Sequence, residues 1–252
     1  MSELRGIYTL WKREMLRFIR ERTRLVSSVV TPILWLVIFG TGLGLSLGKQ
    51  TGFNYQQFIF PGIIAQTLLF TAMFMGISVI WDKQFGFMKE ILVAPISRLS
   101  IFIGKMLGVG TSSMVQAIIV LGLGFLIGIP LTIPMIAEAL PMMVLIAVGL
   151  VCIGLIIASI LNSLENFGAI VTFVNMPMFF LSGALFPVAT LPAWLKWVFY
   201  INPLTYDVDA MRAIIMGSSW TTIFPFWQLV LIIVVFDVVM IAIGSYLFAR
   251  TK

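Results

Sequence analysis

Hydrophobic residues in this chain run in long unbroken blocks, and polar residues fall almost entirely between them. Six blocks of roughly 20 apolar residues, each long enough to cross a bilayer core of about 30 Å, occupy residues 29–47, 60–80, 102–129, 140–161, 169–186 and 226–247. In lipid a segment must satisfy its own backbone hydrogen bonds, so continuous apolar runs predict helices. Strands of a membrane barrel would alternate over about 10 residues, and these blocks do not. The pattern predicts an all-α membrane protein with one transmembrane domain over residues 1–252: an interfacial helix in 1–25 and a six-helix bundle in 26–252.

Ahead of the first block, residues 4–24 read as an amphipathic helix. Leu4, Ile7, Tyr8, Trp11, Met15, Phe18 and Ile19 recur three and four apart, on one face, while Arg5, Lys12, Arg13, Arg17, Arg20 and Arg24 take the rest. A basic helix with one apolar stripe lies flat at a membrane surface. The charged stretch is too long for a signal peptide and the apolar run behind it is a full span, so the N-terminus is expected to be kept. Between the second and third blocks, residues 81–98 form the longest loop on the same side. Phe87, Ile91 and Ala94 mark a helical face there, with Met88 and Leu92 beside it, and Pro95 ends the helix. Such a helix suits either docking of a partner or a plain surface connector. On the opposite side, Pro187, Pro192 and Pro203 punctuate residues 186–225. Residues 193–200, with Trp194, Trp197, Phe199 and Tyr200, form a helix too short to cross, which reads as re-entrant or interfacial.

Composition agrees. The chain is 60% hydrophobic and only 10% charged, against about 25% charged in soluble domains. If six spans alternate, all of the sixteen lysines and arginines except Lys49, Lys196 and Arg212 share one side. The positive-inside rule then puts both termini in the cytoplasm of a multi-pass protein of the cell (inner or plasma) membrane. The basic pI of about 9.7 therefore reflects topology and calls for no nucleic-acid partner. Gly40, Gly44 and Gly48 form a small-residue packing face. Lys105, about one turn inside the third block, is expected to snorkel to the interface.

Candidate chemistry is sparse. The chain has no histidine, which removes the commonest metal ligand and general base; no metal site is expected. The single cysteine, Cys152, reads as a small apolar residue within a span. No stretch fits GxxxxGK[ST], so the chain is not expected to hold a nucleotide by that route or to be an enzyme. Asp207 and Asp209 are placed in an outer loop. Asp237 stands mid-span, where a charge costs about 2.5–3.5 kcal/mol. It either ties helices together or serves an ion-coupled secondary transporter, and both readings stay open.

The blocks SGALFP (182–187), LPAWL (191–195), NPLTY (202–206) and DAMR (209–212), together with GFMKEILVAPISRLSIFIGK (86–105), resemble the ABC type-2 permeases, the membrane subunits of ATP-binding-cassette exporters, and within them the drug- and lipid-export branch. The resemblance implies a pathway between two permease subunits, usually identical. It also implies two copies of a separate ATPase, which would hold ATP and magnesium, so this chain would carry no cofactor. Lys83, Gly86, Phe87, Lys89, Glu90, Leu92, Pro95 and Arg98 would couple the spans to that ATPase. The chain has Asp82-Lys83-Gln84 where the family often has an Arg-Glu pair. Pro187, Pro192, Trp194, Asn202, Pro203 and Tyr206 would form a re-entrant outer gate. Phe70, Phe74, Phe173, Phe179 and Phe180 are candidate pathway residues, with lipid or helix neighbours as the equal alternative. The implied function is outward movement of a hydrophobic drug-like or lipid-like molecule; the alternative within the mechanism is a lipid-linked polysaccharide.

Overall fold

The computed structural model describes residues 3–42, 54–188 and 192–250. Gly44, Gly48, Lys49 and Leu191 lie outside them. The long elements among the described residues are all α-helices: α1 Glu3–Arg20, α2 Arg22–Gly42, α3 Tyr55–Met75, α4 Ile77–Gln84, α5 Phe87–Val93, α6 Arg98–Leu126, α7 Ile133–Ile160, α8 Leu164–Phe180, α9 Ala193–Ile201, α10 Pro203–Met216 and α11 Phe226–Arg250. Short polar side chains mark their starts. Asn54, Ser97, Thr132, Ser163 and Asn202 each accept a hydrogen bond from an amide two or three residues on, satisfying donors that an open helix start leaves unpaired.

Among the described residues four stretches are long and apolar enough to cross a membrane: Tyr55–Gln84, which joins α3 to α4, and Arg98–Leu126, Ile133–Ile160 and Phe226–Arg250. The apolar part of α2, Val30–Gly40, is shorter. The block expected at 169–186 is a 17-residue helix, α8, that begins earlier and stops at Phe180. Ser182 then bonds back to the carbonyl of Phe179, and Gly183 turns the chain at φ +77°, a left-handed conformation that side chains disfavour.

The core sits around α3. Its span is 83% buried, against 17% for α11. Both helices are apolar all round, for opposite reasons: α3 is enclosed by α2, α6, α7, α8 and α10, whereas α11 lies at the edge with most of its surface free. Lipid is as apolar as leucine, so close packing has to come from small residues. At the α3–α4 junction a Cβ on Gly76 would lie 2.6 Å from the carbonyl oxygen of Gly154 on α7.

Two expectations change here. The stripe on α1 is split: Gly6, Leu10, Glu14 and Phe18 are buried, with Ile7, Trp11 and Met15 beside them, while Leu4, Tyr8 and Ile19 stay exposed. The buried side faces α6, not an open surface, because Gly104 and Gly108 leave room for the α1 backbone there. The expected outer loop contains a full helix, α10, so Asp207 and Asp209 are helical and buried. Pro203 in its first turn suits a helix start, and the loop reading mistook that start signal for a break.

Candidate functional site

Two polar clusters hold opposite ends of the bundle. The first lies at the end near α1 and the close of α11. Gly104, Gly108 and Ser112 repeat every four residues on α6 and receive α1. A Cβ on Gly104 would meet Leu10, and one on Gly108 would meet Glu14. Trp11 Nε1 donates to Thr111 Oγ1 at 3.1 Å. This close seat carries charge inward. Lys105 is fully buried, and its Nζ donates to Glu14 Oε1 at 3.1 Å and to Asp82 Oδ2. Arg13 also donates to Asp82 Oδ2, and Arg17 reaches Asp82 Oδ1 at 3.5 Å while its guanidinium lies 5.6 Å from the Trp81 ring.

Lys105 therefore does not snorkel. Two acids from different helices give its ammonium a partner inside the protein, which removes the reason to reach for water. The cluster joins α1, α4 and α6 through three cations and two carboxylates. Burial alone would raise the carboxyl of Glu14, but Lys105, Arg17 and Arg13 outweigh that and hold it below the usual 4.5. Such a network gives little net stability over apolar packing, yet losing one member strands the others.

Asp82 immediately precedes the segment expected to couple. Lys83, next to it, turns the other way, and its Nζ donates to the carbonyls of Ala158 (3.1 Å), Ser159 and Leu161 (3.2 Å) at the end of α7. Gly86 opens α5 at φ +80° with nothing within 4 Å of a Cβ, so backbone conformation and not space demands glycine. On α5 the inward residues are Met88, buried, and Ile91, half-buried; Phe87, Lys89, Glu90 and Val93 are exposed. The inward face is thus turned by one residue from the expected Phe87–Ile91–Ala94 line. Pro95 and Arg98 are exposed, and the side chain of Leu92 lies outside the described residues.

The second cluster gathers the signature blocks. Arg212 is 3% exposed; its Nε donates to the carbonyl of Phe58 and its Nη2 to that of Gly183. The guanidinium lies 3.9 Å from the Phe58 ring centre and 4.7 Å from that of Trp220. Trp220 Nε1 and the Ile223 amide both donate to Asp209. Asn202 donates to the carbonyls of Met178 and Leu181 and accepts from the Leu204 amide, so one side chain caps α10 and ties down the end of α8. Tyr206 donates to the carbonyl of Tyr200, and Tyr55 to that of Leu185. Of the residues expected at the gate, Asn202, Pro203 and Tyr206 enter this knot, Pro187 is half-buried beside it, and Pro192 and Trp194 are exposed at the start of α9.

Four of the five phenylalanines form one chain of ring contacts, Phe74 to Phe70 to Phe179 to Phe180, though they differ in exposure; Phe173 takes no part in it. Phe179 is fully buried, edge-on to Trp35 of α2 and to Phe70. Phe70 and Phe74 are half-buried, Phe180 is 43% exposed, and Phe173 faces out at 78%. Sequence reasoning missed Glu14 and the hub role of Asp82. The readable signal was a lysine, Lys105, set within the Gly104, Gly108, Ser112 spacing, matched by the lone acid between Arg5 and Arg20.

Among the described residues the chain is an all-helical bundle with apolar spans, the architecture of a multi-pass membrane protein. The chain belongs to the ABC-2 type transporter family, whose pattern matches residues 5–216. It is 28% identical to the putative transport permease ycf38 of Cyanophora paradoxa, over 86% of this chain and 76% of that one. It is 27% identical to the inner membrane transport permease YadH of Escherichia coli (strain K12), over 92% and 91%. Nodulation protein J of Rhizobium leguminosarum bv. viciae is 26% identical over 84% and 80%.

Proposed function

We propose that the chain is the permease subunit of an ATP-driven exporter that moves a hydrophobic drug-like or lipid-like molecule out across the cell membrane. Two copies form the pathway at their interface, and two copies of a separate ATPase bind ATP and magnesium in the cytoplasm. In this reading the chain crosses six times, with α2 and α8 completing the four long spans and α9–α10 re-entering from outside. Both termini and α5 face the cytoplasm.

The observation that carries the reading is the buried network of Glu14, Asp82 and Lys105. It makes α1, α4 and α6 one body, with the largely exposed α5 starting five residues after Asp82. An ATPase that binds α5 and α1 differently in two nucleotide states would bias two bundle arrangements, and differential contact is all such coupling requires.

The test is flux in proteoliposomes holding the chain with its co-expressed ATPase. Outward movement of a hydrophobic dye is expected only with ATP and both proteins. Flux driven by an ion gradient without nucleotide, or ATP hydrolysis by the isolated chain, overturns the reading.

A further inference from the structure

Asp207 takes no part in either cluster. It lies on α10, two residues from Asp209, and so points to a different side of the helix. It is 5% exposed, and no hydrogen bond or ion pair involves its side chain among the described residues. It lines a cavity of about 220 Å³ between α9–α10 and α11, together with Ile201, Pro203, Tyr206, Ile232, Ile233 and Phe236. Asp237 approaches from α11, near enough for its charge to oppose that of Asp207, and presses on α7 at Gly149, where a side chain would collide with it.

Among the described residues no cation answers these two acids. Arg212 is committed to carbonyls and ring faces, Lys196 lines a separate cavity on the Asp209 side, and Arg250 stacks on Tyr246. A carboxylate in apolar surroundings without a partner is costly; such a group either takes up a proton or is matched by a positive charge brought from outside, and the ring-lined cavity leaves room for the second. A metal ion is a poor fit, because no group of three or more His, Cys, Asp or Glu side chains converges among the described residues. Two aromatic rings beside a carboxylate suit an organic ammonium, whose charge is drawn to ring faces as well as to the acid. The volume falls below the roughly 300–1,000 Å³ of pockets that enclose whole drug-sized ligands. It holds a head group, while the tail runs along the exposed surface of α11, where Leu231, Val234 and Val235 face outward.

We propose that this cavity binds the cationic head of a lipophilic amine or quaternary ammonium amphiphile, with Asp207 as its counter-charge, Tyr206 and Phe236 as its ring walls and Asp237 as a second carboxylate behind. This deepens the export reading by naming a ligand class, and it rests on that reading for its purpose only. Binding is measured on the permease alone, so it succeeds or fails separately from ATP-driven flux.

The experiment is equilibrium binding of radiolabelled dodecyltrimethylammonium to the full chain in the uncharged detergent dodecyl maltoside. Saturable binding is expected, weakened at least tenfold in Asp207→Asn and displaced by dodecylamine but not by dodecanol. Ile233→Trp, which fills the cavity and leaves both acids in place, is expected to weaken binding as strongly. Equal affinity in wild type and Asp207→Asn overturns the proposal. Equal displacement by the alcohol and the amine also overturns it, and that comparison needs only the wild-type protein should a variant fail to fold.

Discussion

Lys105 and Glu14 form a buried ion pair 3.1 Å across the contact between α1 and α6, the lysine fully enclosed and the glutamate 4% exposed. Asp82 completes the arrangement from α4. Replacing Lys105 with methionine leaves both acids facing Arg13 and Arg17 alone, and breaking a buried pair from one side costs about 3–5 kcal/mol. A clear fall in Tm of the detergent-solubilised protein is expected, partly restored in the double variant Lys105→Met/Asp82→Asn. A single variant as stable as wild type would remove the network from the account of this end of the bundle.

The same cluster sets an acid limit. The carboxyl of Glu14 sits below its usual 4.5 in the folded chain. Its contribution to stability is therefore fully present above 4.5 and is lost as pH falls through the lower folded value, because the unfolded chain takes up the proton first. Melting curves from pH 6 downward should show the loss beginning near the ordinary carboxylate range, and Glu14→Gln should flatten that part of the profile.

Coupling is tested by charge on an exposed residue. Glu90 lies on the free side of α5, so Glu90→Lys should change stability by less than about 0.5 kcal/mol while cutting ATP-dependent flux several-fold. Gly86→Pro acts through the backbone, since proline cannot reach the +80° that opens α5. It should insert normally and lose flux. Transport at the wild-type rate in both variants would take α5 out of the coupling path.

Arg212 serves as a test of the far end. Lysine keeps the charge but not the planar fork that meets two carbonyls while lying between Phe58 and Trp220. Each buried carbonyl left unmatched costs about 1–3 kcal/mol. Arg212→Lys should therefore lower Tm and expose Trp220, read as a shift in its fluorescence. An unchanged spectrum and melting point would contradict the knot.

The long helices were legible because lipid admits little else: continuous apolar runs gave α3, α6, α7 and α11 nearly in place, and Pro95 and Pro203 marked boundaries. Burial within the protein was harder to read. The stripe on α1 counts Leu4 and Ile19 as inward because hydrophobic spacing does not distinguish a bilayer surface from a neighbouring helix. Lys105 misled for the same reason: its partners are 23 and 91 residues away, and no local pattern announces an ion pair across such distances. Asn202 and Arg212 were flagged by family resemblance alone, since their bonds go to backbone carbonyls, which carry no sequence signal. The five phenylalanines could not be sorted into core and surface because side-chain type is the same in both.

Lys83 grips the final carbonyls of α7 from the segment that leads into α5. Movement of that short helix would therefore reach the α7–α8 corner through Lys83 as well as α1 through Asp82. In the export reading, force from the ATPase would be shared between two levers, one charged and one clamped to bare peptide, and a substitution that frees the second would leave the first to act alone.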